Sequence, residues 1–183
     1  MKNIFKLLFL SSTLLFAGFG YHDANIDVYD TQSGLYYKSI SKKIEKSGFI
    51  ISKSSNYQVS NINIYNPKTN QSEMIFKTHN NNITSILFEM GYSEKSIIFN
   101  TDYANTKNNK NIDKRPIKDK LLIVTYDNDK KETTLWTCNK NGKNLKKITI
   151  VPNNFNWHID VKNSKIRVIS STNEQFKLSN FDW

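Results

Sequence analysis

His158 and Asp160 stand two residues apart in Phe155-Asn156-Trp157-His158-Ile159-Asp160-Val161, where apolar and polar side chains alternate. In a strand that spacing puts both on one face, with Trp157 and Ile159 on the other. A carboxylate beside an imidazole can fix its tautomer and orient it for proton transfer. The sequence names no nucleophile or metal ligand to join them, so the pair is carried as candidate binding residues and no catalytic residue is assigned. Asp127-Asn128-Asp129 has the alternating oxygen donors of a calcium loop. A further oxygen donor and a glycine should follow, and Lys130-Lys131 stand there instead, so a hairpin turn is expected and no metal site. Cys138 is the single cysteine and reads as a small apolar core side chain. His22 and His79 read as solvated, and Glu73, Glu89 and Glu94 are scattered with nothing in the sequence to gather them. The chain contains no His-Glu-x-x-His helix motif, phosphate-binding glycine loop, nucleophile elbow or paired-cysteine zinc motif. No cofactor is expected.

A second group of candidates is electrostatic. The stretch 103–120 is polar, rich in lysine and without periodicity, and reads as a long loop. Lys107, Lys110, Lys114, Arg115, Lys118 and Lys120 face only Asp113 and Asp119 there, a local charge of +4 that can dock an acidic surface. The whole chain has 26 basic against 16 acidic residues, a formal charge of +10. That balance points to an acidic partner protein, with an anionic glycan or lipid as the alternative. Nucleic acid is disfavoured, because the loop lacks interleaved aromatics and only Arg115 and Arg167 are arginines. The 25 asparagines and 24 lysines also look like the coding bias of an AT-rich genome, which weakens any inference from charge.

The elements that must position these residues begin after a leader. Lys2 and Lys6 precede an apolar stretch of about 13 residues, too short to cross a bilayer as a helix, and Gly18-Phe19-Gly20 supplies a small-x-small exit. Export through a signal peptide over 1–20 is expected, with no transmembrane anchor after cleavage and a periplasmic or secreted location. The rest, 21–183, suits one domain. Its apolar residues come in short runs bounded by Asn, Asp, Ser, Gly and Lys, which is strand patterning. Strands are expected at 26–29, 35–40, 49–52, 59–65, 72–77, 84–89, 96–101, 121–126, 134–138, 145–151, 155–161, 165–170 and 175–181, with one short helix at 39–46. The turns opened by Asp30, Asn66 and Asn139 predict hairpins. Asp30, Asn66, Asp102, Asn139 and Asn180 fall 36, 36, 37 and 41 residues apart, a spacing near that of propeller blades. Trp136 and Trp157 read as core, and Trp183 as the completion of a last strand.

Leu135-Trp136-Thr137-Cys138-Asn139-Lys140-Asn141-Gly142-Lys143-Asn144-Leu145-Lys146-Lys147-Ile148-Thr149 resembles the hairpin of TolB-like β-propeller repeats. Phe155-Asn156-Trp157-His158 and Lys165-Ile166-Arg167-Val168-Ile169-Ser170 continue the likeness for about one blade, residues 135–170. The family's Ser-Pro-Asp-Gly turn is replaced here by Asp160-Val161-Lys162-Asn163-Ser164. The resemblance implies an all-β fold of short antiparallel strands and hairpins in propeller-like blades, forming a small or incomplete propeller; a β-sandwich is the alternative. Function is expected to be that of an exported, non-enzymatic binding module touching another envelope protein. An immunity or inhibitor protein, and a hydrolase of envelope polymers, remain the alternatives.

Overall fold

The computed structural model describes residues 24–44, 57–93, 96–100, 115–152, 155–171 and 175–183, and over these the chain is all-β. Strands β1 (Asp27–Asp30), β2 (Leu35–Lys43), β3 (Tyr57–Asn66) and β4 (Gln71–Met74) form an antiparallel meander in sequence order. β5 (Ile83–Leu87) starts a second sheet, but the chain leaves it for a separate hairpin, β6 (Glu89–Ser93) and β7 (Ser96–Phe99). It returns as β8 (Leu121–Asp127), β9 (Glu132–Cys138) and β10 (Lys146–Pro152), giving the order β10-β9-β8-β5. A third meander contains β11 (Phe155–Asp160), β12 (Lys165–Ser171) and β13 (Phe176–Asp182).

Four hairpins close with the same local chemistry. A strand ends in Asp or Asn, whose side chain accepts backbone N–H groups of the turn, and the fourth residue onward has positive φ. Asp30 caps Gln32 and Ser33, Asn66 caps Lys68, Asp127 caps Asp129 and Lys130, and Asp160 caps Asn163. The left-handed residues are Gly34, Asn70, Lys131 and Ser164. Short Asx side chains satisfy turn donors that no strand can reach, which is why they punctuate this sequence so regularly.

The sheets stack face to face in sequence order. In β8, Leu121 and Ile123 join a core with Tyr37, Ile62 and Ile64 of the first sheet, while Leu122 and Val124 join a second core with Ile159, Ile166 and Val168 of the third. Cys138 lies in the first core and Leu135 in the second. Within the middle sheet β8 is thus buried on both faces, and it reads Leu-Leu-Ile-Val without polar alternation, while β10 at the edge leaves Ile150 exposed. Burying side chains this size stabilises by about 1.5–3 kcal/mol each relative to exposure. No ring of sheets and no barrel closes among the described residues.

Several expectations change. The helix at 39–46 does not form over its described part, because Ser39–Lys43 continue β2 and pair with β3 across a bulge. The run 84–89 is not one strand: it breaks at Phe88 into β5 and β6. The spacing near 36 does not count sheets, since Asp30 and Asn66 close two hairpins of the same sheet, and Asn180 lies inside β13. The leader, His22, the strand at 49–52, Glu94, Asp102 and residues 103–114 of the basic loop lie outside the described residues.

Candidate functional site

Where the turns of the first two sheets meet the start of β6 and the chain's last residue, charged groups are gathered out of water. Lys140 follows β9, and its Nζ donates to Asp30 Oδ2 at 2.7 Å and to the Glu89 carbonyl at 2.6 Å. The side chains of the Lys140–Asp30 pair are 4% and 0% exposed. The Lys140 carbonyl accepts the Tyr37 hydroxyl at 3.0 Å, its N–H donates to Asp119, and its ammonium lies 5.6 Å from the Phe88 ring centre. Alternation places Asp30 here: in the ladder it stands opposite Leu35 on the inward face, two residues on from Val28.

Glu89 is the second hub. Arg115 holds it with both terminal nitrogens, at 2.6 and 2.9 Å; the Lys118 N–H donates at 2.9 Å and Trp183 Nε1 at 2.8 Å. Burial pushes both carboxyls up, yet the hydrogen bonds prevail. For Asp30 these come from Lys140, Ser33 and the Gln32 N–H; for Glu89 they come from Arg115, the Lys118 N–H and Trp183. Both are held below the ordinary carboxylate range. Burial pushes the Tyr37 hydroxyl up, which keeps it a donor to Lys140. The arrangement saturates both acids, leaving neither placed to exchange a proton with a substrate, and ties five chain segments together: the first hairpin, the start of β6, residues 115–119, the turn after β9, and Trp183.

The residues singled out by sequence fall elsewhere or into this cluster. Lys107, Lys110 and Lys114 lie outside the described residues. Arg115 is committed to Glu89, and Lys118 contributes its backbone N–H to the same carboxylate. Lys120 Nζ stands 3.5 Å from the Asp182 carbonyl. His158 sits opposite Arg167 in the β11–β12 ladder. Asp160 is occupied by Arg167, at 2.6 and 2.7 Å, and by Asn163, so its carboxylate serves the turn and the neighbouring strand. Burial pushes the Cys138 thiol up to about 12, leaving little thiolate at neutral pH. Among the described residues no group of three or more His, Cys, Asp or Glu side chains is placed to hold a metal ion. Asp30, Glu89 and Lys140, which make the cluster, were not legible as a group, because only the folded register brings them together.

The outward face of the first sheet carries a different feature. Tyr29, Tyr36 and Tyr65 are paired directly across β1, β2 and β3, with Ser72 of β4 completing the row. They are 44%, 45% and 36% exposed. Ring centres are 4.5 Å apart for Tyr29 and Tyr36 and 6.2 Å for Tyr36 and Tyr65. The next row on this face is Asp27, Lys38, Asn63 and Met74, with an ion pair of 3.2 Å between Asp27 and Lys38. Tyrosines supply large contact area at small entropic cost, with a hydroxyl left to hydrogen-bond a partner.

Compared with protein-family models, with curated proteins and with solved structures, the chain matches none.

Proposed function

We propose that this chain is an exported, non-enzymatic binding module that contacts another protein of the cell envelope. The observation that carries the reading is the row Tyr29, Tyr36 and Tyr65, a contiguous aromatic surface left to solvent on a sheet whose other face is packed core. Cores of protein interfaces are enriched in tyrosine and depleted in lysine and glutamate, and the row has that character inside a chain otherwise dense in lysine. The buried acids support the same reading, since each is consumed by cations and N–H donors that hold sheets together. Export rests on the leader's composition, and among the described residues no helix is long and apolar enough to cross a membrane. The formal charge of +10, +8 without the leader's Lys2 and Lys6, favours a partner with an acidic surface, and the basic loop contributes to it.

The test is affinity capture from the native envelope extract with immobilised mature protein and with the triple variant Tyr29→Ser, Tyr36→Ser, Tyr65→Ser. These side chains project outward, so circular dichroism should stay strand-like. A protein retained by the native sequence and at least about tenfold depleted with the variant is expected, since hot-spot aromatics each contribute about 2 kcal/mol or more. Equal retention by both would overturn the assignment of the surface.

A further inference from the structure

Among the described residues the third sheet has three strands where each of the first two has four. The first two meanders each run to a fourth strand, β4 and β10, whereas the third ends at β13 and its fourth position is empty among the described residues. The outer edges of the first two sheets are blunted in ways that discourage further pairing. β4 has only four residues and includes Glu73; β10 carries Lys146 and Lys147, a bulge after Lys147, and Pro152. β13 is seven residues long without proline or bulge, and five of the seven are exposed. Phe176 is 71% exposed and Leu178 41%.

The ladder fixes which backbone groups point away from the sheet. The Trp183 N–H donates to the Ser164 carbonyl at 3.0 Å, so position 183 hydrogen-bonds toward β12. In an antiparallel pair the backbone direction alternates, so Phe181, Ser179 and Lys177 also turn to β12, and Asp182, Asn180, Leu178 and Phe176 turn outward. The Asp182 carbonyl agrees with this, since Lys120 Nζ approaches it from outside the sheet at 3.5 Å. Lys120 therefore caps one end of the open edge, leaving three rungs, at Phe176, Leu178 and Asn180.

We infer that the free edge of β13 accepts an extended strand of an acidic partner protein as the fourth strand of the third sheet. An edge of alternating N–H and C=O groups is answered in full only by another extended backbone. Two features choose a foreign acidic segment over a second copy of this chain. Self-pairing would bring together two mature chains, each of formal charge +8 once Lys2 and Lys6 leave with the leader, and it would set two Lys177 side chains near each other beside two Lys120 caps. An acidic segment meets Lys177 and Lys120 favourably, and its apolar side chains cover Phe176 and Leu178. The inference stands on backbone geometry and does not depend on the tyrosine row, so variants of the two surfaces separate them.

The probe is a phage-displayed library of random decapeptides, selected at low salt on immobilised mature protein. Recovered peptides should alternate β-branched or aromatic residues and carry acidic ones. Their binding should fall at least tenfold with Leu178→Pro, which deletes an outward N–H while sparing the bonds to β12, and should persist with Leu178→Thr and Tyr36→Ser. In hydrogen exchange, the amides of Leu178 and Asn180 should exchange fast in the free protein and slow when peptide is bound. Should Leu178→Pro melt early, the exchange result alone decides. An empty selection, equal binding by Leu178→Pro, or no protection of those two amides would overturn the inference.

Discussion

Lys140 Nζ lies 2.7 Å from Asp30 Oδ2 across 110 residues of chain, with both side chains removed from water. The contact joins the first hairpin turn of the first sheet to the turn after β9 in the second. It also reaches the Glu89 carbonyl, and through Glu89 the chain's last residue, Trp183.

Breaking this pair from one side leaves a charge buried without its counterpart, which costs about 3–5 kcal/mol. Asp30→Asn and Lys140→Met should each lower urea-unfolding stability by about that much, while the double variant should lose clearly less than their sum. Strict additivity would show that the two groups do not act on each other.

Acid should loosen the same cluster. Asp30 and Glu89 titrate at ordinary values of 3.8 and 4.5 when unfolded and lower when folded. A carboxyl depressed in the folded state gives its full stabilisation above the unfolded value and loses it as pH falls through the folded one. The melting temperature should therefore hold from about pH 7 to about pH 5, as far as these groups are concerned, and drop below about pH 4. The gap between the native protein and Glu89→Gln should narrow over that acid range. Melts followed by circular dichroism across the pH series check both.

Two glycines occupy left-handed turns with different surroundings. Gly34 has φ +71° with its nearest prospective Cβ neighbour, Tyr29 Oη, at 3.9 Å; Gly142 has φ +81° with Ile64 Cδ1 at 3.1 Å. A side chain costs about 1 kcal/mol at either backbone. Only at Gly142 must a core isoleucine also give way. Gly142→Ala should thus lower the melting temperature more than Gly34→Ala.

What sequence could show follows from range. The Asx turns at Asp30 and Asn66 and the all-apolar run of β8 were legible, because local hydrogen bonding and burial on both faces leave marks in neighbouring residues. Cys138 is buried, at 2% exposure, matching its reading as core; Trp183, equally buried, stands one residue past β13 and hydrogen-bonds the Ser164 carbonyl. The tyrosine row escaped, since Tyr29, Tyr36 and Tyr65 become neighbours only once three strands are in register. Glu89 looked like one of several scattered acids, because its partners, Arg115, Lys118 and Trp183, lie 26, 29 and 94 residues away. The helix expected at 39–46 gives way over 39–43 to strand, because β3 recruits that run by tertiary pairing over its weak local preference.

The most direct test of the binding reading replaces Tyr36 with a photo-crosslinking phenylalanine analogue in the native cells, with the same analogue at the exposed Lys162 as the control. Illumination should join position 36 to one envelope protein in high yield and leave position 162 without that adduct. No adduct at position 36, or the same products from both positions, would contradict the account.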